Sequence, residues 1–139
     1  KKFKSVICFE PNPNFRECFA KNINEDNVII WPYGLSDRSH SANQDYNSTI
    51  LKDEEGDIEC RTLDSFQLRN VDFIKIDVDG FEIPLLNGAR ETLLNNNAVI
   101  NIEMKYDKRK HIAMKCVSIL KDIGYRFIQR TKSDEIWLK

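Results

Sequence analysis

Short apolar runs alternate along this chain with segments in which apolar residues recur at helical spacing. Runs that are rich in β-branched residues predict strands. Because successive side chains point to opposite faces, a continuous apolar run indicates that both faces of the strand are buried. The strands are predicted at residues 6–9, 28–31, 72–78 and 98–103. Strands that alternate with helices through short connections predict an α/β domain with a mainly parallel sheet covered on both faces.

Two helices are predicted between these strands and a third after the last of them. Asn12 is a suitable cap for the first helix, since its side chain can accept a backbone N–H at the helix start. A second helix is predicted from Pro84 to Asn95, because apolar residues recur there three and four positions apart. The third is predicted over residues 108–123, with Gly124 at its carboxyl end.

Two hairpins complete the predicted elements. Residues 38–57 are rich in Ser, Asn, Asp and Glu and predict an exposed excursion from the sheet. Within and after it, residues 48–51 and 58–61 are expected to pair as a hairpin. Residues 125–130 and 135–138 predict a terminal hairpin, so the last strand of the sheet is expected to be antiparallel.

The composition is that of an ordinary globular protein. The 139 residues predict one domain, with 41% hydrophobic and 31% charged residues. A formal net charge of −1 gives no electrostatic basis for a nucleic-acid or membrane partner, and no apolar run reaches the ~20 residues that span a bilayer. Four scattered cysteines and two histidines favour neither a metal site nor a disulfide framework. We therefore expect a cytoplasmic protein without a metal.

Acidic residues gather where the strand at 72–78 ends. Asp77 closes the apolar run, and Asp79 and Glu82 follow it. Mutual repulsion and partial burial are expected to raise the pKa of at least one of these carboxylates, which then serves as a general base at neutral pH. Asp77 is the candidate for this role, whereas Glu82 is attributed to the N-terminus of the following helix.

The strand that carries Asp77 is expected to lie at the centre of the sheet. Residues 73–78 are predicted to be fully buried, with Ile74 and Ile76 on one face and Phe73 on the other. Open α/β folds bind ligands at the carboxyl ends of their parallel strands. The position of Asp77 therefore predicts a functional site at this edge.

Two charged residues near Asp77 are assigned from their positions in strands. Lys75 lies inside the apolar run and requires a partner, for which Asp64 or Glu103 is expected. Glu103 ends the strand at 98–103, the expected neighbour of Asp77 in the sheet. Glu103 is therefore a second candidate for the acceptor pocket.

A further carboxylate follows the first strand. Glu10 stands directly after the run at 6–9 and before Pro11. An acid at this place accepts hydrogen bonds from ribose hydroxyls in dinucleotide-binding folds. Glu10 is therefore a candidate for nucleoside binding.

Several blocks of the chain resemble the FkbM family of methyltransferases. The central block is VDFIKIDVDGFE at residues 71–82, whose family counterpart more often has Glu at the position of Asp79. The other blocks stand in the family's order: VICFEP at 6–11, GLSD at 34–37, TLD at 62–64, LNGA at 86–89 and INIE at 100–103. Together they cover most of the chain.

The resemblance implies a Rossmann-like fold and S-adenosylmethionine as the methyl donor. It assigns Glu10 to the ribose, and Ser36 with Asp37 to the adenine of this cofactor. Asp77 and Glu103 become the catalytic candidates. The implied reaction transfers a methyl group to the hydroxyl of a sugar or another small molecule, and it requires no metal because alignment supplies most of the acceleration.

The chain departs from the family at its beginning. The family pattern opens with a strand and a glycine-rich turn ahead of residues 6–10, but the five glycines of this chain form no such cluster. We therefore expect a fold that is truncated at the amino terminus. The strands at 6–9 and 73–78 are then expected to pair directly or to leave a seam that a second copy or another partner completes.

Two alternative functions are also compatible with the sequence. Asp77 and Asp79 form a D-x-D pattern after an apolar strand, as in metal-dependent glycosyltransferases. The absent glycine turn is also compatible with a non-catalytic remnant that acts through a partner. The acceptor and the oligomeric state are not encoded in these motifs.

Overall fold

The computed structural model describes residues 3–44, 51–52 and 56–139 of the chain. The strands are β1 (Val6–Phe9), β2 (Val28–Trp31), β3 (Gly34–Leu35), β4 (His40–Gln44), β5 (Leu51–Lys52), β6 (Ile58–Arg61), β7 (Phe73–Ile76), β8 (Val99–Glu103), β9 (Arg126–Thr131) and β10 (Asp134–Leu138). The helices are α1 (Pro13–Asn22), α2 (Glu82–Asn87), α3 (Arg90–Asn95) and α4 (Lys110–Ile123), and a 3-10 helix covers Leu63–Phe66.

A four-stranded sheet in the order β7-β8-β10-β9 forms the centre of the carboxyl-terminal part. β7 and β8 are parallel, with Ile76 opposite Ile102, whereas β10 runs antiparallel to both β8 and β9. The α/β class and the antiparallel terminal hairpin are therefore confirmed.

The main hydrophobic core lies between this sheet and helices α2, α3 and α4. Its buried residues all fall between Leu63 and Trp137, and Leu86, Ile100 and Leu120 have no exposed surface. α4 covers the sheet with one apolar face and ends at Gly124, which adopts a left-handed φ of +101°. None of the helices in the described residues is long and apolar enough to cross a membrane.

The amino-terminal unit β1–α1–β2 is packed much less tightly. β1 and β2 pair in parallel from Val6 opposite Val28, and the Asn12 side chain accepts the N–H of Asn14 to cap α1 as expected. Not one residue of α1 is buried. The unit contacts the rest of the molecule through Trp31, whose ring lies 4.8 Å from that of Phe66, and through Phe9, which packs against the main core.

The third sheet has the order β3-β6-β4-β5, which contradicts the hairpin predicted from residues 48–51 and 58–61. Residues 48–50 lie outside the described residues, but Leu51 and Lys52 pair with β4 and not with β6. β6 pairs instead with β4 in an antiparallel arrangement and with β3 in a parallel one. Strand pairing depended here on contacts beyond the local turn, which residue pattern alone did not reveal.

The prediction of a central, fully buried strand at residues 73–78 is wrong. β7 is an edge strand in the described structure, since β8 is its only partner there, and Phe73 remains 43% exposed. Ile76 is buried as expected, but Ile74 is only partly buried. β1 does not pair with β7, although the ring of Phe3, which precedes β1, lies 6.1 Å from that of Phe73.

The single helix predicted from Pro84 to Asn95 is also wrong, because it is broken at Gly88 into α2 and α3. A Cβ atom on Gly88 would lie 1.9 Å from the carbonyl oxygen of Ser36, so only glycine permits this close approach. α3 then begins anew beneath Asp64, whose carboxylate accepts the N–H groups of Glu91 and Thr92 at 3.1 and 2.7 Å.

Candidate functional site

Asp77 and Glu103 lie at the carboxyl ends of two neighbouring strands. Ile76 is opposite Ile102 in the parallel register, which makes Asp77 and Glu103 the next residues along the two strands. The side chain of Asp77 is 51% exposed and that of Glu103 is 17% exposed. The structure therefore places the two catalytic candidates at one edge of the sheet.

The pKa of Asp77 is raised above the ordinary value of an aspartate. Partial burial is the main cause, and the negative charges of Glu103 and Asp79 add to it, while Lys75 acts in the opposite direction. A carboxylate of this kind holds a proton more readily than a solvated one. It is thus suited to accept a proton from a hydroxyl group.

Asp79 has quite different surroundings although it is only two residues away. Lys105 Nζ lies 2.5 Å from Asp79 Oδ1 and 2.7 Å from Glu103 Oε2, and Arg109 Nη1 lies 3.8 Å from Asp79. Hydrogen bonds to Asp79 and Glu103 raise the pKa of Lys105, which keeps it positively charged. Sequence reasoning missed Lys105 and Arg109, because nothing local in the sequence shows that this segment folds back over the end of β7.

Lys75 is paired, but not with the expected partners. Its Nζ lies 3.2 Å from Asp134 Oδ2 and 3.6 Å from Asp77 Oδ2. The predicted partners Asp64 and Glu103 are wrong, since Asp64 caps α3 and Glu103 pairs with Lys105. Lys75 therefore stabilises the charged form of Asp77 from inside the same strand.

The segment that carries Lys105 is held by a buried carboxylate. Glu135 is 2% exposed and accepts hydrogen bonds from Tyr106 Oη at 3.0 Å and Trp137 Nε1 at 3.1 Å. Arg130 pairs with the same carboxylate, and its guanidinium lies 4.1 Å from the centre of the Tyr106 ring. The terminal hairpin thereby anchors the backbone beside the site.

Glu10 lies at the carboxyl end of β1, as the sequence predicts. Its Oε1 accepts the N–H of Asn12 at 2.8 Å, and its backbone carbonyl accepts Arg16 Nη1 at 3.0 Å. These contacts fix the carboxylate at the turn between β1 and α1. The second carboxylate oxygen has no hydrogen bond to the described residues that would prevent ligand binding.

Ser36 and Asp37 follow β3 directly. Ser36 is 2% exposed, its N–H donates to the carbonyl of Arg61 at 2.9 Å, and its hydroxyl lies 3.3 Å from Asp37 Oδ1. Asp37 is more exposed and pairs with Arg38 at 3.1 Å. No hydrogen bond or ion pair within the described residues joins this pair or Glu10 to Asp77.

The geometry gives no support to a metal site at the D-x-D pattern. Asp79 is engaged by Lys105, whose ammonium group lies where a cation shared with Glu103 would sit. Within the described residues there is no group of three or more His, Cys, Asp or Glu side chains placed to hold a metal ion. Cys116 is buried, which raises the pKa of its thiol to about 12 and makes it unreactive.

Comparisons with known proteins agree with this fold. The model of the methyltransferase FkbM domain matches residues 2–127. A crystal structure of methyltransferase FkbM from Methylobacillus flagellatus KT superimposes with a TM-score of 0.65 at 17% sequence identity, covering 99% of this chain and 37% of that one. No curated protein gives a significant match. Because the family model spans most of the sequence, the chain belongs to the FkbM methyltransferase domain family.

Proposed function

We propose that this domain transfers a methyl group from S-adenosylmethionine to a hydroxyl oxygen of a sugar or another small molecule. The proposal rests mainly on the environment of Asp77. This carboxylate lies half exposed at the carboxyl end of β7, and its pKa is raised. A base in this position accepts the hydroxyl proton as the oxygen forms its new bond. The family membership supports methyl transfer as the reaction class.

The residues around Asp77 favour its role as the base. Lys75 Nζ lies 3.6 Å from Asp77 Oδ2, so it favours the ionised form of Asp77 before the reaction. Lys75 also pairs with Asp134, so its charge is shared between the two carboxylates. Glu103 adds negative charge beside Asp77, and this charge stabilises the protonated form of Asp77 that results from proton transfer. Glu103 is proposed to line the acceptor side of the site.

The candidate cofactor residues have the right chemistry for S-adenosylmethionine. Glu10 and Asp37 supply carboxylate oxygens that accept hydrogen bonds from ribose hydroxyls and from an adenine amino group, and Ser36 holds Asp37 through its hydroxyl. S-adenosylmethionine, when bound, supplies an electrophilic methyl group on a sulfonium. Alignment of the hydroxyl and removal of its proton are the tasks of this chain's own residues.

The edges of β1 and β7 that are unpaired in the described residues provide places where a further strand could complete this site. Each of these strands has one such edge. We propose that one further strand, from a second copy or another partner, pairs at this seam and joins the cofactor side to Asp77. Light scattering tests the assembly: a strict monomer that binds S-adenosylmethionine would contradict it.

Calorimetry and activity measurements test the proposed reaction. S-adenosylmethionine should bind, and release of S-adenosylhomocysteine with a panel of sugar acceptors should follow. Asp77→Asn keeps the size of the side chain but removes its basicity, so the rate should fall by roughly 10²–10⁴-fold with cofactor affinity unchanged. Asp72→Asn is the matched control, because Asp72 is exposed and lies just before the opposite end of the same strand.

Each contrary outcome points to a different function. A protein that does not bind S-adenosylmethionine, alone or with a completing partner, would be the non-catalytic remnant. Binding of Mn²⁺ together with a nucleotide sugar would favour the glycosyltransferase alternative. An Asp77→Asn variant that transfers methyl at the wild-type rate would make Asp77 a structural residue at the strand end.

A further inference from the structure

Glu82 is a buried carboxylate that the proposed reaction does not use. The sequence attributes Glu82 to the N-terminus of the following helix, and the structure places it in the first turn of α2 with only 5% exposure. Its Oε1 accepts the N–H of Gly80 at 2.9 Å, and its Oε2 has no hydrogen-bond partner in the described residues. A charged group is costly to bury, so its position requires a compensating role.

The backbone that Glu82 holds is strained. Asp79 has a φ of +46° and Gly80 a φ of +107°, so two consecutive residues adopt left-handed conformations. A left-handed conformation is less favourable for a residue that carries a Cβ atom than for glycine, although Asp tolerates it better than most. Such strain persists only where surrounding contacts hold it, and the hydrogen bond from Gly80 to the Glu82 carboxylate is one of these contacts.

Arg109 closes over the same turn from the other side. A Cβ atom on Gly80 would lie 3.1 Å from Arg109 Nη1, so the guanidinium is packed directly on the glycine. Glu82, Lys105, Arg109 and Cys116 line one small cavity beside the turn. The turn is therefore enclosed between Glu82 and the segment that carries Lys105 and Arg109.

The turn decides which way the two aspartates point. Asp79 is directed to Lys105 at 2.5 Å and to Arg109 at 3.8 Å, whereas Asp77 remains 51% exposed beside Lys75. If both carboxylates pointed to the same side, they would compete for the same cations. The left-handed turn thus separates a neutralised carboxylate from the one that faces solvent.

We propose that Glu82 is a positioning residue that holds the Asp79–Gly80 turn, directs Asp79 onto Lys105 and leaves Asp77 alone as the reacting carboxylate. The assignment of Asp77 as the base rests on the proposed function. The placement of Asp79 and Lys105 by Glu82 does not, and it is measurable without cofactor or acceptor.

Amine acetylation of the intact chain tests this placement. The reagent attacks only unprotonated amines, so Lys105 should react slowly in the wild type while it is paired with Asp79. Glu82→Met removes the acceptor of the Gly80 N–H, so Asp79 should no longer be held against Lys105. Lys105 should then react about tenfold faster, as expected when its charge-assisted hydrogen bond to Asp79 is lost and the one to Glu103 remains. Exposed Lys108 and Lys110 serve as internal standards, and peptide mass spectrometry reads all three rates.

Two further variants keep the test decisive. Glu82→Gln retains an oxygen acceptor without the charge, so Lys105 should show an intermediate rate even if Glu82→Met does not fold. Glu91→Gln is the control, because Glu91 is an exposed acid in the first turn of α3, and it should leave the rate unchanged. A wild-type Lys105 rate in a folded Glu82→Gln variant would overturn the proposal and reduce Glu82 to a stabilising contact of α2.

The result separates this inference from the proposed reaction. Titration of the same variants with S-adenosylhomocysteine reports on cofactor binding alone. An increased Lys105 rate in a protein that never binds S-adenosylhomocysteine would support the placement and contradict the methyltransferase function. An unchanged Lys105 rate in variants of a protein that binds S-adenosylhomocysteine well would contradict the placement by Glu82 and leave the methyltransferase function supported.

Discussion

The β1–α1–β2 unit and the sheet of β7, β8, β10 and β9 are built from the same kinds of element, but they differ in packing. The main core's buried residues all lie between Leu63 and Trp137. The amino-terminal unit contributes no buried apolar residue to that core, and Ile29 in β2 is 48% exposed. Burial of apolar surface is the dominant stabilising term, so we expect stability to reside mainly in the carboxyl-terminal part.

This difference separates the two proposed tasks of the domain. Glu10, a candidate for cofactor binding, ends a strand of the weakly packed unit, whereas Asp77 and Glu103 end strands of the well-packed sheet. The other cofactor candidates, Ser36 and Asp37, follow β3, and Ser36 is buried. Sites that respond to ligands are commonly drawn from the less stable parts of a protein. The comparison therefore predicts that ligand binding orders the amino-terminal unit more than the catalytic edge.

Matched isoleucine substitutions should give the largest contrast. Ile100 in β8 has no exposed surface and Ile29 in β2 is 48% exposed. Ile100→Ala should lower the free energy of unfolding by about 2–5 kcal/mol, because it leaves a cavity in the core. Ile29→Ala should change it by less than about 1 kcal/mol. Urea unfolding measures both, and equal losses would show that the two regions are equally well packed.

Gly88→Ala should disturb the close contact between the break after α2 and the end of β3. The added methyl group would meet the carbonyl of Ser36 at 1.9 Å, so α2 and β3 must move apart, at a cost of about 1–3 kcal/mol in unfolding free energy. Gly124→Ala is the control, since its φ of +101° is strained but no atom lies within 4 Å of the added carbon. Calorimetry should show weaker S-adenosylhomocysteine binding for Gly88→Ala but not for Gly124→Ala. Equal binding by the two variants would show that the contact at Gly88 does not affect the cofactor site.

Glu10→Ala should weaken binding with little effect on stability. Loss of hydrogen bonds to a charged group is expected to reduce S-adenosylhomocysteine affinity by about 1–3 kcal/mol. Glu17→Ala is a suitable control, because Glu17 is exposed on α1 and pairs only with Lys21 among the described residues. If both variants bind like the wild type, Glu10 is a surface carboxylate that merely supports the start of α1.

The smallest expected effect is a pH-dependent gain in stability from Asp77→Asn. Burial raises the pKa of Asp77 in the folded protein above its value in the unfolded chain, which is near ~3.9. As the pH rises from below the unfolded pKa to above the folded one, ionisation of Asp77 therefore lowers the free energy of unfolding. Asp77→Asn should therefore be more stable than the wild type at pH 7, by less than about 1 kcal/mol because the group is half exposed. Near pH ~3, where Asp77 is mostly protonated in both the folded and the unfolded state, the wild type and the Asp77→Asn variant should have the same free energy of unfolding. A variant less stable at pH 7 would mean that the ion pair with Lys75 outweighs burial.

Local patterns predicted most of the elements but not all of their boundaries. β1, β2, α1, α4 and the terminal hairpin follow from apolar spacing and from caps such as Asn12 and Gly124. The break at Gly88 was not predicted, because the spacing of apolar residues continues through it. The contacts made at the break are to residues distant in the chain, Ser36 and Asp64. The pairing of β4 with β6 was missed for a similar reason.

The sequence by itself determined the family, the α/β class and the carboxylates that end the strands, because these depend on periodicity and on short motifs. Only the tertiary structure decided the charge pairing and the burial at the site. It placed Lys105 against Asp79, buried Glu82 behind the turn and left Phe73 exposed on an edge strand. Those outcomes depend on distances between segments far apart in the chain, which no local pattern of residues specifies.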